Sequence, residues 1–383
     1  MRRTQKNMKA RSEKESPHFT LLVIWKNGAR CLLWVVWVGL LCSAGYTALG
    51  QYSGGIVIPK GYVQLQGDII TTVSNAAVLL GKNTGPQRNF SYAPDRLWPN
   101  RVVPYDFEGN DNSSDYKNRY TDAMKMWSNS FSGAVTVTFK PRAGEAGYIH
   151  FKLEDPGFIG GTTDYVGYNG GQVTIVIHPD VIENRPLIAH EIGHALGLWH
   201  EQSRDDRDAY VTILYNNIIN GDASQFDKQN PESTFGKYDY DSIMHYFSTA
   251  FSICSSPSCA DASCVTISVP QYSGQQCKIG QQNHLSAMDK RGMAFRYAPP
   301  DWKFLYAKNG STENGSVGQP YTTMSQAVSG VPANGTLWLG PGDHSAAGMT
   351  ITTPMTLKAA LADLQMQPDG SLGPSPSGYS KLK

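Results

Sequence analysis

The sequence predicts an α+β domain in two lobes, and three observations predict it. Short alternating or apolar segments, the mark of strands, crowd residues 134–177. They are followed by His190-Glu-Ile-Gly-His-Ala-Leu-Gly-Leu-Trp-His200, which reads as a helix up to Gly197. After His200 the chain reads as irregular. Strands before one central helix and irregular chain behind it fit two lobes with the histidines between them.

Taken in order, Ser113 or Ser114 can cap a first helix. Behind them Tyr116, Tyr120, Ala123, Met124 and Trp127 recur at helical spacing, so that helix packs on a core. Ala134–Phe139 alternates as a strand and Tyr148–Leu153 is a second; His150 within it is a surface or packing residue rather than a ligand. Gly160–Gly167 reads as an irregular, glycine-rich edge strand, and the apolar Val173–Ile177 as a central one. Pro186 suits the first turn of the histidine helix. Gly197 can take the left-handed conformation that ends a helix and reverses the chain.

That helix carries the chemistry. His190 and His194 are four residues apart, so they share one face and can grip one metal ion. The reversal at Gly197 brings His200 back as a third ligand. Three neutral nitrogens leave the fourth position of a zinc ion open, which marks a catalytic site rather than a structural one. Glu191, directly after the first ligand, can hold a water over the metal as general base. A bare His-Glu-x-x-His is a weak signal; Gly197 and His200 make it far more specific, and Ser242-Ile243-Met244-His245-Tyr246 adds the second element of the metzincin pattern.

The run His200-Glu-Gln-Ser-Arg-Asp-Asp-Arg-Asp208, with Ser242–Tyr246, resembles the astacin family of zinc metalloendopeptidases. Leu97-Trp98-Pro99-Asn100 with Val103-Pro104-Tyr105 resembles the start of an astacin catalytic domain. Lys278-Ile279-Gly280-Gln281, Leu285-Ser286 and Asp289 resemble its end, so the likeness runs from near Arg96 to Tyr297. The resemblance implies a twisted, mostly parallel sheet and the zinc helix in the N-terminal lobe, an irregular C-terminal lobe, and one zinc per subunit. It implies Met244 as an apolar floor under the metal and no ligand role for His245. It also implies Tyr246 as donor to the oxyanion of the tetrahedral intermediate; the bland alternative is a packed core tyrosine. Leu65-Gln66-Gly67-Asp68 resembles the Phe-x-Gly-Asp of astacin prosegments, whose aspartate blocks the open zinc position; a plain surface turn is the alternative. Glu201 is then the partner of the mature N-terminus. Unlike many astacins, the chain has no cysteine between Arg96 and Ser252.

The 383 residues carry a formal charge of +1, unevenly spread: residues 1–30 hold a net +6, which leaves −5 for the rest. No basic cluster recurs, which argues against a nucleic-acid partner. The basic start, the apolar Cys31–Cys42 and the small residues to Gly50 describe a secretory signal with a cut before Gln51. An uncleaved anchor, Cys31–Leu49, is the alternative and the one route to a membrane. Cys254, Cys259, Cys264 and Cys277 lie within 24 residues of an exported chain, so two disulfides with three possible pairings are expected; a second zinc site is the rival.

The expected organisation is a leader or anchor at 1–50, a prosegment at 51–88, a peptidase domain at 89–300, and a Gly/Ser/Thr/Pro-rich segment at 301–383 resembling a partial parallel β-helix. Arg88 offers a trypsin-like activating protease its site. The expected product is a secreted endopeptidase acting on proteins and peptides. A silent zinc-binding adhesion or carbohydrate-binding module is the other class, and Glu191 together with Tyr246 argues against it. A carbohydrate-active tail has only Glu313 and Asp343 near its glycine loops.

Overall fold

The computed structural model describes residues 60–80, 96–108, 114–128, 137–229, 238–305, 315 and 320–340, with shorter pieces within 51–58, 130–135 and 342–382. The leader at 1–50, the capping Ser113 and the Arg88 cleavage site lie outside the described residues.

After a short antiparallel pair at Gln51–Ser53 and Ile56–Ile58, the chain forms a hairpin, β1 (Tyr62–Leu65) and β2 (Ile69–Thr72), then a short helix α1 (Val73–Leu79). The next segment contributes β3 (Val102–Phe107), helix α2 (Ser114–Ser128), β4 (Thr138–Pro141), β5 (Tyr148–Leu153), β6 (Gly161–Thr163) and β7 (Gln172–Ile177). Seven strands form one sheet in the order β1-β2-β6-β7-β5-β3-β4. Among the five strands from β3 to β7, β7–β5, β5–β3 and β3–β4 are parallel and β6–β7 is antiparallel. The mostly parallel sheet is therefore as expected. β7 is central, with Val173, Ile175 and Ile177 fully buried.

Two strands differ from the sequence reading. The alternating Ala134–Phe139 is split: Ala134–Val135 pairs with Ser130–Phe131 in a small ribbon, and the sheet strand starts only at Thr138. The glycine-rich strand is three residues long and is no edge here. β2, from far upstream, runs parallel to it with Ile69 opposite Thr163. Alternation reports which side chains face a core; it does not report which remote segment covers a strand.

The histidine helix α3 (Arg185–Ala195) lies against the sheet and α2 in the larger core. Asn184 caps it by accepting from Leu187 N at 3.1 Å, and Pro186 sits in its first turn, where no donor is lost. Its end is tied from afar. Arg296 Nε and Tyr297 Oη donate to the Leu196 carbonyl at 2.9 and 3.0 Å, and Trp98 Nε1 donates to the Ala195 carbonyl at 2.8 Å. Gly197 follows at φ +101°, and a Cβ there would lie 1.9 Å from the Arg296 guanidinium. Only glycine fits both demands.

After His200 the regular structure is reduced to 3-10 turns and the two-residue strands β8 (Thr212–Ile213) and β9 (Ile267–Ser268), before helix α4 (Ala287–Arg296). Phe226, Tyr246, Ile267 and Ile279 belong to the separate core of this second lobe. Disulfides Cys254–Cys264 and Cys259–Cys277 staple its outer loop. The tail contributes a parallel ladder, β10 (Trp302–Leu305), then helix α5 (Met324–Gly330), β11 (Thr336–Leu339) and β12 (Thr356–Ala359). It is anchored where Trp302, Phe304 and Trp338 surround Phe295 of α4. Among the described residues no helix is long and apolar enough to cross a membrane.

Candidate metal centre

Each histidine is aimed by a different device. His190 and His194 sit on one face of α3, and the reversal at Gly197 returns His200 to them. The imidazole centroids of the three pairs are 4.6–5.1 Å apart. His190 Nδ1 lies 2.7 Å from the Ile243 carbonyl, and His194 Nδ1 lies 2.7 Å from the Leu198 carbonyl. A carbonyl accepts only, so both Nδ1 atoms donate, and Nε2 of each ring is the atom turned inward where it could ligate a metal.

The fourth group is Asp68, at the tip of the β1–β2 hairpin. Its Oδ2 is 3.1 Å from Nε2 of both His190 and His200, and its Oδ1 is 3.5 Å from His194 Nε2. One ligand atom from each of the four residues lies within 4.8 Å of all the others. His194 Nε2 and Asp68 Oδ1 are buried without a hydrogen-bond partner, and Nε2 of His190 and His200 approach to 3.2 Å. Lone pairs converging in a buried space are what a cation satisfies. Three imidazoles and a carboxylate are a fitting donor set for zinc. Burial alone would raise the Asp68 carboxyl, but the imidazoles of His200 and His194 hold it well below its usual range.

Two carbonyls in this set come from the turn around Met244 and the loop behind α3. Asp289 fixes the Met244 turn, accepting from Ser242 Oγ at 2.7 Å and from Ile243 N at 2.9 Å; the carbonyl of Ile243 then receives His190. Met244 slides under α3 at Gly193, where a Cβ would lie 2.7 Å from its sulfur. His245 faces away: Nδ1 donates to the Tyr246 carbonyl and Nε2 accepts from Tyr238 Oη at 2.6 Å.

Glu191 is buried beneath β6. Thr163 Oγ1 donates to its Oε2 at 2.7 Å, and a Cβ on Gly161 would lie 2.7 Å from its Cγ. Burial, with the Asp68 carboxylate beside it, pushes Glu191 up to about 8. The Tyr246 ring lies 4.4 Å from the His200 ring, tilted at 54°, and its hydroxyl donates to the Gln66 carbonyl. Burial raises its phenol well above the usual range, so it stays a donor. Glu201 stands outside this group; its Oε1 accepts from Arg204 Nη1 at 2.9 Å and from Asp239 N at 2.8 Å.

The matching family model is Astacin, a peptidase family, over residues 90–298. The chain belongs to the astacin family of zinc metalloendopeptidases. It is 33% identical over 244 residues to bone morphogenetic protein 1 of Xenopus laevis, covering 59% of this chain and 32% of that one. It is 35% identical over 161 residues to tolloid-like protein 1 of Mus musculus, covering 41% of this chain and 15% of that one. The chain thus spans a third or less of these two relatives. Among solved structures, the high choriolytic enzyme 1 of the medaka Oryzias latipes, a hatching enzyme zinc-protease, aligns at 29% identity and a TM-score of 0.42, covering 54% of this chain and 92% of that one.

Several residues of the site were not singled out in the sequence. Gln66 and Gln225 hold the hairpin tip: Gln66 Oε1 meets His200 Nδ1 at 3.0 Å, and Gln225 Oε1 accepts from Gly67 N at 2.7 Å. Thr163 N donates to the Asp68 carbonyl at 3.0 Å. No local pattern marks a lone glutamine as a partner across 134 or 158 residues.

Proposed function

We propose that this chain is the latent proform of an exported zinc endopeptidase, blocked by its own prosegment at 51–88. The observation that carries the reading is the Asp68 carboxylate set among His190, His194 and His200. In the processed enzyme the three histidines would hold the metal; in the proform Asp68 takes the place a water needs. Zinc, when bound there, is a Lewis acid that brings the pKa of a water toward neutrality and polarises the scissile carbonyl.

The protein groups divide the remaining work. Thr163 holds one oxygen of Glu191, so the other is left to receive the proton of the attacking water. As the C–N bond breaks, Glu191 returns that proton to the departing amine. With Asp68 gone, the charge beside Glu191 is removed and its affinity for a resting proton falls, which suits a base. Tyr246, released from the Gln66 carbonyl, donates to the oxyanion. The edge of β6, released from the hairpin, offers backbone groups to an extended substrate, which gives modest sequence demands.

Activation is a cut after Arg88 by a trypsin-like protease, which leaves Asn89 as the new terminus. Its destination is Glu201. Burial pushes the Glu201 carboxyl up to about 7 and, with Asp289 nearby, Asp239 to about 7; both favour a cation arriving beside them. Export is supported by the leader at 1–50 and by two closed disulfides. The decisive test is Glu191→Gln in the processed enzyme. It should keep one zinc while casein hydrolysis falls by more than the roughly 10²–10⁴-fold of acid–base loss alone, because water positioning goes too. Near-wild-type turnover in the zinc-loaded variant would refute the assignment.

A further inference from the structure

The three imidazoles differ in who orients them. The Nδ1 atoms of His190 and His194 are tied to carbonyls of the peptidase segment itself, at Ile243 and Leu198. The Nδ1 of His200 is tied to Gln66, on the hairpin that processing removes. His200 is fully buried, and Gln66 is 2% exposed. An Nε2 turned toward a metal leaves the proton on Nδ1, so the group opposite must be an acceptor, and Oε1 of Gln66 is one. Gln66 adopts φ +49°, a left-handed conformation that a residue with a β-carbon avoids unless its surroundings impose it. Its carbonyl is held by Tyr246 Oη and by Asp68 N at 3.0 Å, so the side chain is delivered to His200 from a fixed turn. One hairpin tip thus grips the same imidazole from both sides, Asp68 at Nε2 and Gln66 at Nδ1.

We propose that Gln66 is a positioning residue for the metal. Its side-chain carbonyl fixes the tautomer and ring of His200, so the proform holds zinc more tightly than the processed enzyme by more than the ligand Asp68 alone accounts for. This rests on the reading of the site as a zinc centre blocked by residues 51–88. The hairpin would then serve metal loading as well as latency: the site is filled while its third histidine is oriented and is handed over already loaded. Loss of an acceptor behind a ligating histidine lowers metal affinity by roughly 10–100-fold, which is the size of effect to look for.

The test uses the full proform carrying Glu191→Gln, so that it cannot cut itself. Zinc affinity is measured by competition with a chromogenic chelator for Gln66, Gln66→Met and Gln66→Glu. Methionine keeps the length without the acceptor; glutamate restores an acceptor. Two-dimensional spectra of ¹⁵N-histidine-labelled protein follow the tautomer of His200, and resistance to limited proteolysis reports whether the hairpin is docked. The expected result is roughly a 10–100-fold loss in Gln66→Met with the hairpin still docked, and recovery in Gln66→Glu. Equal affinity of docked Gln66→Met and wild type overturns the role of Gln66 and leaves the zinc reading standing. If Gln66→Met undocks the hairpin, Gln66→Glu decides: docked and tight supports the role, docked and weak overturns it. A wild-type proform that binds no zinc overturns both.

Discussion

Gly67 sits at the point where the hairpin tip must pass closest to the second lobe, and Gly67→Ala tests the geometry of latency without touching any ligand. The residue adopts φ +83°, where alanine is disfavoured by roughly 1–2 kcal/mol. A Cβ would also lie 2.6 Å from Tyr246 Oη and 2.9 Å from Phe251 Cζ, both anchored in the core of that lobe. Overpacking of this kind costs about 1–3 kcal/mol. Together the docked tip should lose about 2–5 kcal/mol; at 1.4 kcal/mol per factor of ten, docking weakens roughly 30–4,000-fold. The peptidase core is untouched, because the strain exists only while the tip is docked. The assay is hydrolysis of a quenched fluorescent peptide by uncut proform carrying Arg88→Gln, with hydrogen exchange of residues 62–72 as a second readout. Gly67→Ala should leak activity and lose protection in the hairpin. Wild-type silence together with wild-type protection in the uncut variant would show that the tip does not pass where the structure places it.

Tyr246→Phe removes one donor from the transition state and should cost roughly 2–4 kcal/mol in kcat of the processed enzyme with KM little changed; a loss confined to KM contradicts the oxyanion role. Stability should also depend on pH through Glu201 and Asp239, both raised to about 7 in the fold. A carboxyl with a raised folded pKa contributes stability that is full below its unfolded value near 4 and is lost as pH rises through 7. The melting temperature of the proform should therefore fall between pH 5 and pH 8, and the processed enzyme, with an ammonium beside Glu201, should fall less; parallel slopes argue against that partner.

What the sequence made legible is what short spacing controls. His190, His194 and Glu191 follow from helical periodicity, and the return of His200 from one glycine. Val173–Ile177 reads as central because its apolar run has no polar face. What stayed hidden depends on remote partners. The strand at Gly161–Thr163 reads as an edge until β2, from far upstream, is seen beside it. The carbonyl of Leu196 is covered by Arg296 and Tyr297, a hundred residues on. Four cysteines within 24 residues allow three pairings, and only the path of the loop selects Cys254–Cys264 and Cys259–Cys277. Gln66 is the sharpest case: its side chain matters through a turn conformation and a ring 134 residues away, and neither leaves a trace in composition or periodicity.

The central claim, a metal centre blocked by the carboxylate of Asp68, is tested most directly by one comparison. Uncut proform carrying Arg88→Gln is assayed on a peptide substrate with and without Asp68→Ala, each at one bound zinc. The account predicts a silent protein with Asp68 and measurable peptidase activity with Asp68→Ala before any cleavage. Full activity in the uncut protein that retains Asp68 would contradict it.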